Sequence, residues 1–180
     1  MKVSYNWLKE FADDFERHCE GCRVENIVQD EAFISASIQV ARIVVGTHQR
    51  EKLDYLRNAL LNIAIGKGVG ETKQQLFLNA VEVFTPAHVK ILNLIWRSLN
   101  PGWDQHSVPL PLRTYSRAIE LLVPEVKGQP AVIGAVLADL RNRGLTTLSN
   151  ADIQFPQGSL VTNLTGEFLT FILNPEDLPK

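Results

Sequence analysis

The run His18-Cys19-Glu20-Gly21-Cys22 sets two thiols and an imidazole close together, the grouping in this chain nearest to a metal or redox site. A structural zinc site takes four ligands, and one Cys-x-x-Cys supplies two. No second pair follows, and His48, His88 and His106 are scattered along the sequence. Reactive thiols favour helix N-termini, where the dipole stabilises thiolate. This pair falls at the C-terminal end of an expected helix. The expectation is therefore two thiols partly buried at a helix end, with no metal and no cofactor.

Gly66-Lys67-Gly68-Val69-Gly70 has the glycines of a phosphate loop but not its spacing. Such a loop needs Gly, four residues, then Gly-Lys-Ser/Thr after a strand, and this run follows a helical pattern. It reads as a helix–helix connection. No serine stands in a Gly-x-Ser-x-Gly elbow, and no cysteine or carboxylate pair has a motif partner. His88 sits just inside a helix start and reads as a polar residue near the cap. These residue types assign no enzymatic chemistry. Trp103, in a proline-bearing loop, is the aromatic expected to serve as a contact residue.

Recognition chemistry centres on Pro130 to Leu148. Val132, Ile133, Val136, Leu137 and Leu140 recur at helical spacing, Pro130 suits a first turn, and Gly144 marks the stop. Leu145–Leu148 then reads as a short strand and Leu160-Val161-Thr162 as its returning partner. Helix, glycine, strand, loop and returning strand is the order of a winged helix. In that fold the second helix reads DNA through donors on its N-terminal face. Here the face carries Ala131, Gly134, Ala135, Ala138 and Asp139, none of which donates through its side chain. Arg141 and Arg143 lie at the other end, where they complement the helix dipole. The loop from Ser149 to Ser159 has Asp152 and no lysine or arginine. Gly134, Ala135 and Ala138 suit close approach of another helix.

The elements that position these residues are nearly all helical. Ser4 opens a helix to about Cys19, with Leu8, Phe11, Ala12, Phe15 and Cys19 inside. Its Glu10, Asp13, Asp14 and Glu16 face solvent, and Trp7 is partly exposed. Asp30 caps the next stretch, where Phe33, Ile34, Ser37, Ile38, Ala41, Val44 and Val45 suggest burial on more than one side. Leu53, Leu56, Leu60, Ile63 and Ala64 line the following stretch, with Glu51, Lys52, Asp54, Arg57 and Asn58 on its other sides. One long helix, or two broken near Gly46-Thr47, both fit. Further helices span about 71–83, 86–99, 114–123 and 130–143, with Trp96 in the core of the second. Thr165 caps a last helix carrying Phe168, Leu169, Phe171 and Ile172. The fold class expected is mainly α: a helical N-terminal half, residues 1–84, then a winged-helix-like unit, residues 85–180, with a small antiparallel β element.

Bulk properties narrow the function classes. At 180 residues, 45% hydrophobic and 21% charged, the chain has an ordinary globular composition. The net charge of -2 is evenly spread: 10 basic and 11 acidic residues up to Ala80, 8 and 9 after it. Neither half is a basic module, so charge does not favour nucleic acid. Early charges at the N-terminus argue against a signal peptide, and no apolar run suits a membrane span. With two cysteines, the expected place is the reducing cytoplasm.

Four stretches together resemble a group of uncharacterised bacterial proteins of about this size. They are Glu51 to Asn62, Gln75-Leu76-Phe77-Leu78-Asn79 leading to Phe84-Thr85-Pro86-Ala87-His88, Leu137 to Leu145, and Thr162 to Ile172. The resemblance covers most of the chain and implies organisation without an activity or catalytic residues. The last ninety residues also resemble winged-helix proteins, many of which bind DNA. The expectation is a non-enzymatic interaction module that engages a protein partner or self-associates through its apolar N-terminal helices. A DNA-binding regulator is the alternative, and a metal or redox protein built on Cys19 and Cys22 is the weaker third reading. The residues singled out for contact are Trp103, Gly134, Ala135, Ala138, Arg141 and Arg143.

Overall fold

The computed structural model describes residues 2–18, 27, 29–99, 114–149 and 160–174. Cys19, Cys22, Trp103, His106 and Asp152 lie outside the described residues. The described chain is mainly helical: α1 (Lys2–His18), α2 (Glu31–Gly46), α3 (Arg50–Ala64), α4 (Glu71–Val83), α5 (Pro86–Ser98), α6 (Tyr115–Leu122), α7 (Pro130–Asn142) and α8 (Asn163–Ile172), with a 3-10 turn at Pro124–Val126. Two compact units form, Met1–Val83 with Thr170–Lys180, and Phe84–Leu169.

In the first unit, local signals set the helix ends. Asp30 accepts from the N–H of Ala32 at 2.8 Å and of Phe33 at 3.3 Å, which starts α2. Residues 47–49 leave the helix, so the long stretch is two helices. Gly66, at φ 76°, turns the chain out of α3, a conformation in which a side chain would be strained. Its N–H donates to Ile63 O at 3.0 Å, and Lys67 N–H donates to Asn62 O at 2.7 Å.

Helix α3 is the centre of this unit, packing with α1, α2 and α4. Leu56, Ala59, Leu60 and Leu61 are fully enclosed or nearly so. Asn58 and Asn62 are buried with them, contrary to the exposed place that periodicity suggests for Asn58. Asn62 Nδ2 donates to the carbonyls of Thr170 (3.0 Å), Phe171 (3.1 Å) and Leu173 (3.2 Å). Asn58 Nδ2 donates to that of Ile172 at 3.2 Å. The last carbonyls of a helix have no partner within it, and here two amides one turn apart supply donors. Phe77 and Phe171 close the same region, with ring centroids 5.7 Å apart.

Helix α1 is rotated from the expected orientation. Trp7 is buried and its indole N–H donates to Leu53 O at 2.9 Å, while Leu8 is exposed. Trp7, Phe11 and Phe15 stack in sequence at 6.1 and 6.3 Å. Part of the acidic face is also not free surface. Arg57 ion-pairs with Glu10, with Asp14 at 2.9 Å and with Asp54 at 3.1 Å. Burial raises the Asp54 carboxyl above its ordinary value, and Arg57 opposes that shift.

In the second unit, α5 packs with α6 and α7, and the 3-10 turn lies against α6 and α7. Phe84 meets Phe168 edge-on at 6.1 Å. Buried Ser98 accepts or donates a 2.9 Å hydrogen bond with the hydroxyl of Tyr115. Burial pushes the Tyr115 phenol up, an effect that this bond opposes. Ile133, Val136, Leu137 and Leu140 enter the core, while Val132 stays exposed.

The expected small antiparallel β element, and with it the winged-helix unit, is not seen among the described residues. What forms is one antiparallel bridge between Thr146 and Val161, with Thr147 N–H donating to Leu160 O at 3.0 Å. Threonine hydroxyls take positions that a ladder would use. Thr146 Oγ1 donates to Leu160 O at 2.5 Å and accepts from Leu148 N–H at 3.1 Å, and Thr162 Oγ1 donates to Gly144 O at 2.7 Å. The last helix also starts earlier than expected. Thr165 lies in its first turn, accepts from Thr162 N–H at 3.3 Å and donates to Leu145 O.

Replacing Asn62 by Ala leaves three carbonyls short of one donor, and the expected loss is roughly 1–3 kcal/mol in urea unfolding. Asn62→Asp presents a carboxylate to those carbonyls and is expected to cost more than the alanine. A second prediction concerns Glu125, whose carboxyl is held below its ordinary value first by the 2.6 Å hydrogen bond from Lys90 Nζ. A folded value below the unfolded one contributes stability at higher pH that is lost as pH falls through the folded value. Lys90→Ala should move the Glu125 titration upward, read by NMR.

Candidate interaction surfaces

The residues singled out on α7 do not form one site. Ala131, Gly134, Ala135 and Asp139 are exposed and Ala138 is half-buried, opposite the face that enters the core. A Cβ built at Gly134 would meet nothing within 4 Å. Among the described residues nothing comes close enough to Gly134 to require a glycine there. Arg141 is exposed, but the Arg143 guanidinium lies over the Phe84 ring, 5.3 Å from its centroid. The two arginines are thus differently engaged, and Asp139 sits on the same helix.

Asp139 belongs to a cluster that sequence reading approached only through His88. Its Oδ2 is 3.4 Å from His88 Nε2, and His88 Nδ1 is 2.9 Å from Thr85 Oγ1. The imidazole is buried and stacks on Phe84 at 4.8 Å. Hydroxyl, imidazole and carboxylate in that order resemble a hydrolase relay, which needs a ring nitrogen free to take the hydroxyl proton. Here Nδ1 also accepts the Thr85 backbone N–H at 3.2 Å. The ring thereby satisfies a donor at the start of α5, a cap function. Residues 66–70 likewise act as a connection: they follow α3, and Gly66 supplies its left-handed turn.

A different surface emerges on α2. Ala36, Val40, Ile43 and Val44 form its buried face. On the opposite side Ile34, Ile38 and Val45 are 41%, 52% and 77% exposed, with Ala41 exposed between them. Residues 34, 38, 41 and 45 are spaced by four, three and four, one continuous stripe along a helix. The sequence reading had these residues inside, because an apolar periodicity does not say whether a second neighbour is present. Leu76 and Val83, seven residues apart on α4, are exposed as well.

Between α2 and α4 runs an open groove of about 520 Å³, lined by Ser35, Ile38, Gln39, Arg42, Asn79 and Glu82 among others. Gln39 Nε2 donates to Asn79 Oδ1 at 2.8 Å across it. Lys52 reaches the Glu82 carbonyl at 2.8 Å, and burial lowers its amine below the ordinary value, with Glu82 opposing. The groove is polar and its rim apolar. Among the described residues no group of three or more His, Cys, Asp or Glu side chains could hold a metal ion. No described helix is long and apolar enough to cross a membrane.

Fold and surface thus define a mainly helical protein of two units with an outward apolar stripe on its second helix. No protein-family model, no curated protein and no solved structure matches this chain.

The two arginines give a direct check on their separate roles. Arg143→Ala loses the contact with Phe84 and should cost roughly 0.5–1 kcal/mol. Arg141→Ala should stay within about 0.5 kcal/mol of the parent in the same urea titration.

Proposed function

We propose that this chain is a non-enzymatic protein-interaction module whose contact surface is the outer face of α2. The observation that carries the reading is the stripe Ile34, Ile38, Ala41 and Val45, turned away from the core. Contiguous exposed apolar residues with a polar border mark contact sites, whereas single exposed ones do not. The Gln39, Arg42, Asn79 and Glu82 groove supplies such a border on one side. The two cysteines favour a reducing compartment, the cytoplasm.

A DNA-binding regulator is the second reading. It draws on three helices, α5, α6 and α7, preceding the Thr146–Val161 bridge, an order that a winged helix also has. Chemistry gives it less support. The exposed face of α7 offers no side-chain donor near its start, Asp139 would repel phosphate, and Arg143 is engaged by Phe84. The metal or redox reading has only Cys19 and Cys22 to stand on.

The double variant Ile38→Lys, Val45→Lys tests the contact reading at low protein concentration. Residues held apolar for a partner tolerate lysine, so stability should change by about 0.5 kcal/mol or less. Retention on a hydrophobic-interaction column should fall clearly below that of the parent. A loss of several kcal/mol would instead make the stripe part of the core and end the proposal. In fluorescence anisotropy, mixed-sequence duplex DNA should show no binding even at low salt. Binding that weakens steeply as salt is added would put the regulator reading first.

A further inference from the structure

We infer that the partner of the α2 face is a second copy of this chain, with the two α2 helices packed antiparallel about a two-fold axis. The inference rests on the contact reading above and names the occupant of that surface.

The stripe is self-complementary. Its spacings of four, three and four read the same in both directions. A two-fold axis midway between residues 39 and 40 therefore sets Ile34 opposite Val45 of the second copy, and Ile38 opposite Ala41. The bulky Ile38 then meets the small Ala41, the large-against-small arrangement by which facing helices interdigitate. An isologous contact needs one patch that fits itself, and this one does.

Charge selects the direction. The four stripe residues carry no charge, so the seam buries no unpaired ion. Glu31 is exposed at the start of α2, and Arg50, with exposed Glu51 next to it, lies just beyond its end. Antiparallel packing brings Glu31 to the end of α2 that carries Arg50 in the second copy, at both ends of the seam. Parallel packing would put acid beside acid and base beside base. The helix dipoles also oppose each other in the antiparallel arrangement.

Size sets the strength. From residue 34 to residue 45 the stripe runs about 17 Å at the rise of an α-helix. Four side chains over that length fall short of the ~1,200 Å² total of a standard stable interface. The dimer is accordingly a concentration-dependent one, without the permanence of an obligate pair.

Sedimentation equilibrium on the whole chain is the test. The mean mass should rise from the monomer value of 20.2 kDa toward twice that between micromolar and near-millimolar protein. Ile38→Lys should return it to the monomer at every concentration. Orientation is read by oxidation in a Cys19→Ser, Cys22→Ser background. A mixture of Ile34→Cys and Val45→Cys proteins should cross-link faster than either variant alone. Rapid linking of Ile34→Cys to itself would overturn the antiparallel arrangement. A parent that stays monomeric, yet is retained on the hydrophobic column more than Ile38→Lys, Val45→Lys, would overturn the second copy and leave the contact reading intact. A dimer indifferent to Ile38→Lys would place the interface elsewhere and also defeat the inference. Column retention unchanged by the double variant would remove the contact reading itself.

Discussion

Two buried amides on α3 fasten residues 170–173 into the first unit. Asn58 and Asn62 give their side-chain N–H groups to carbonyls at the end of α8, which would otherwise be buried without donors. Removing water from such groups without replacing its hydrogen bonds costs roughly 1–3 kcal/mol each. The packing of Phe77 on Phe171 and the enclosure of Ile172 accompany that pairing. Helix α3 also bears on what α2 and α4 bury, since both lie against it.

Helix boundaries were largely legible in the sequence because their signals are local. Asp30 as a cap, Pro86 and Pro130 in first turns, and glycines at positions 66 and 144 all act through the nearest few residues. Glu71–Val83 follows the expected span, and Pro130–Asn142 stops beside Gly144, which adopts φ 71°. Side-chain destinations were less legible, because they depend on distant partners. Asn58 looks like surface until residues 170–173 arrive. Glu10 and Asp14 look solvated until Arg57 closes on them. Trp7 looks exposed until Leu53 offers a carbonyl. The short β element failed for a related reason: Thr146 and Thr162 satisfy backbone groups through their hydroxyls, a choice that β-propensity does not register.

The contact surface was half visible. Apolar residues on more than one side of α2 were apparent, and burial on each side was the natural expectation. One side is taken by Ala36, Val40, Ile43 and Val44, and on the other Ile34, Ile38 and Val45 stay exposed. That mismatch between composition and burial is what singles out α2. On α7 small residues suggest a close neighbour, and among the described residues none lies within 4 Å of a Cβ at Gly134. His88, which looked like one polar residue among many, proves to be tied to Thr85 and to face Asp139, through a contact spanning 51 positions that spacing alone does not reveal.

The amides of α3 also impose an order on synthesis. The first unit comprises Met1–Val83 together with Thr170–Lys180, so its core lacks Phe171 and Ile172 until those residues have left the ribosome. A nascent chain stalled after α4 would carry Asn62 and the edge of Phe77 into an unfinished interior. The unit 84–169, by contrast, contains all its own residues in one continuous run. Synthesis from the N-terminus therefore does not mean folding from the N-terminus. Of the two units, the one begun first cannot close until residues 170–173 have emerged.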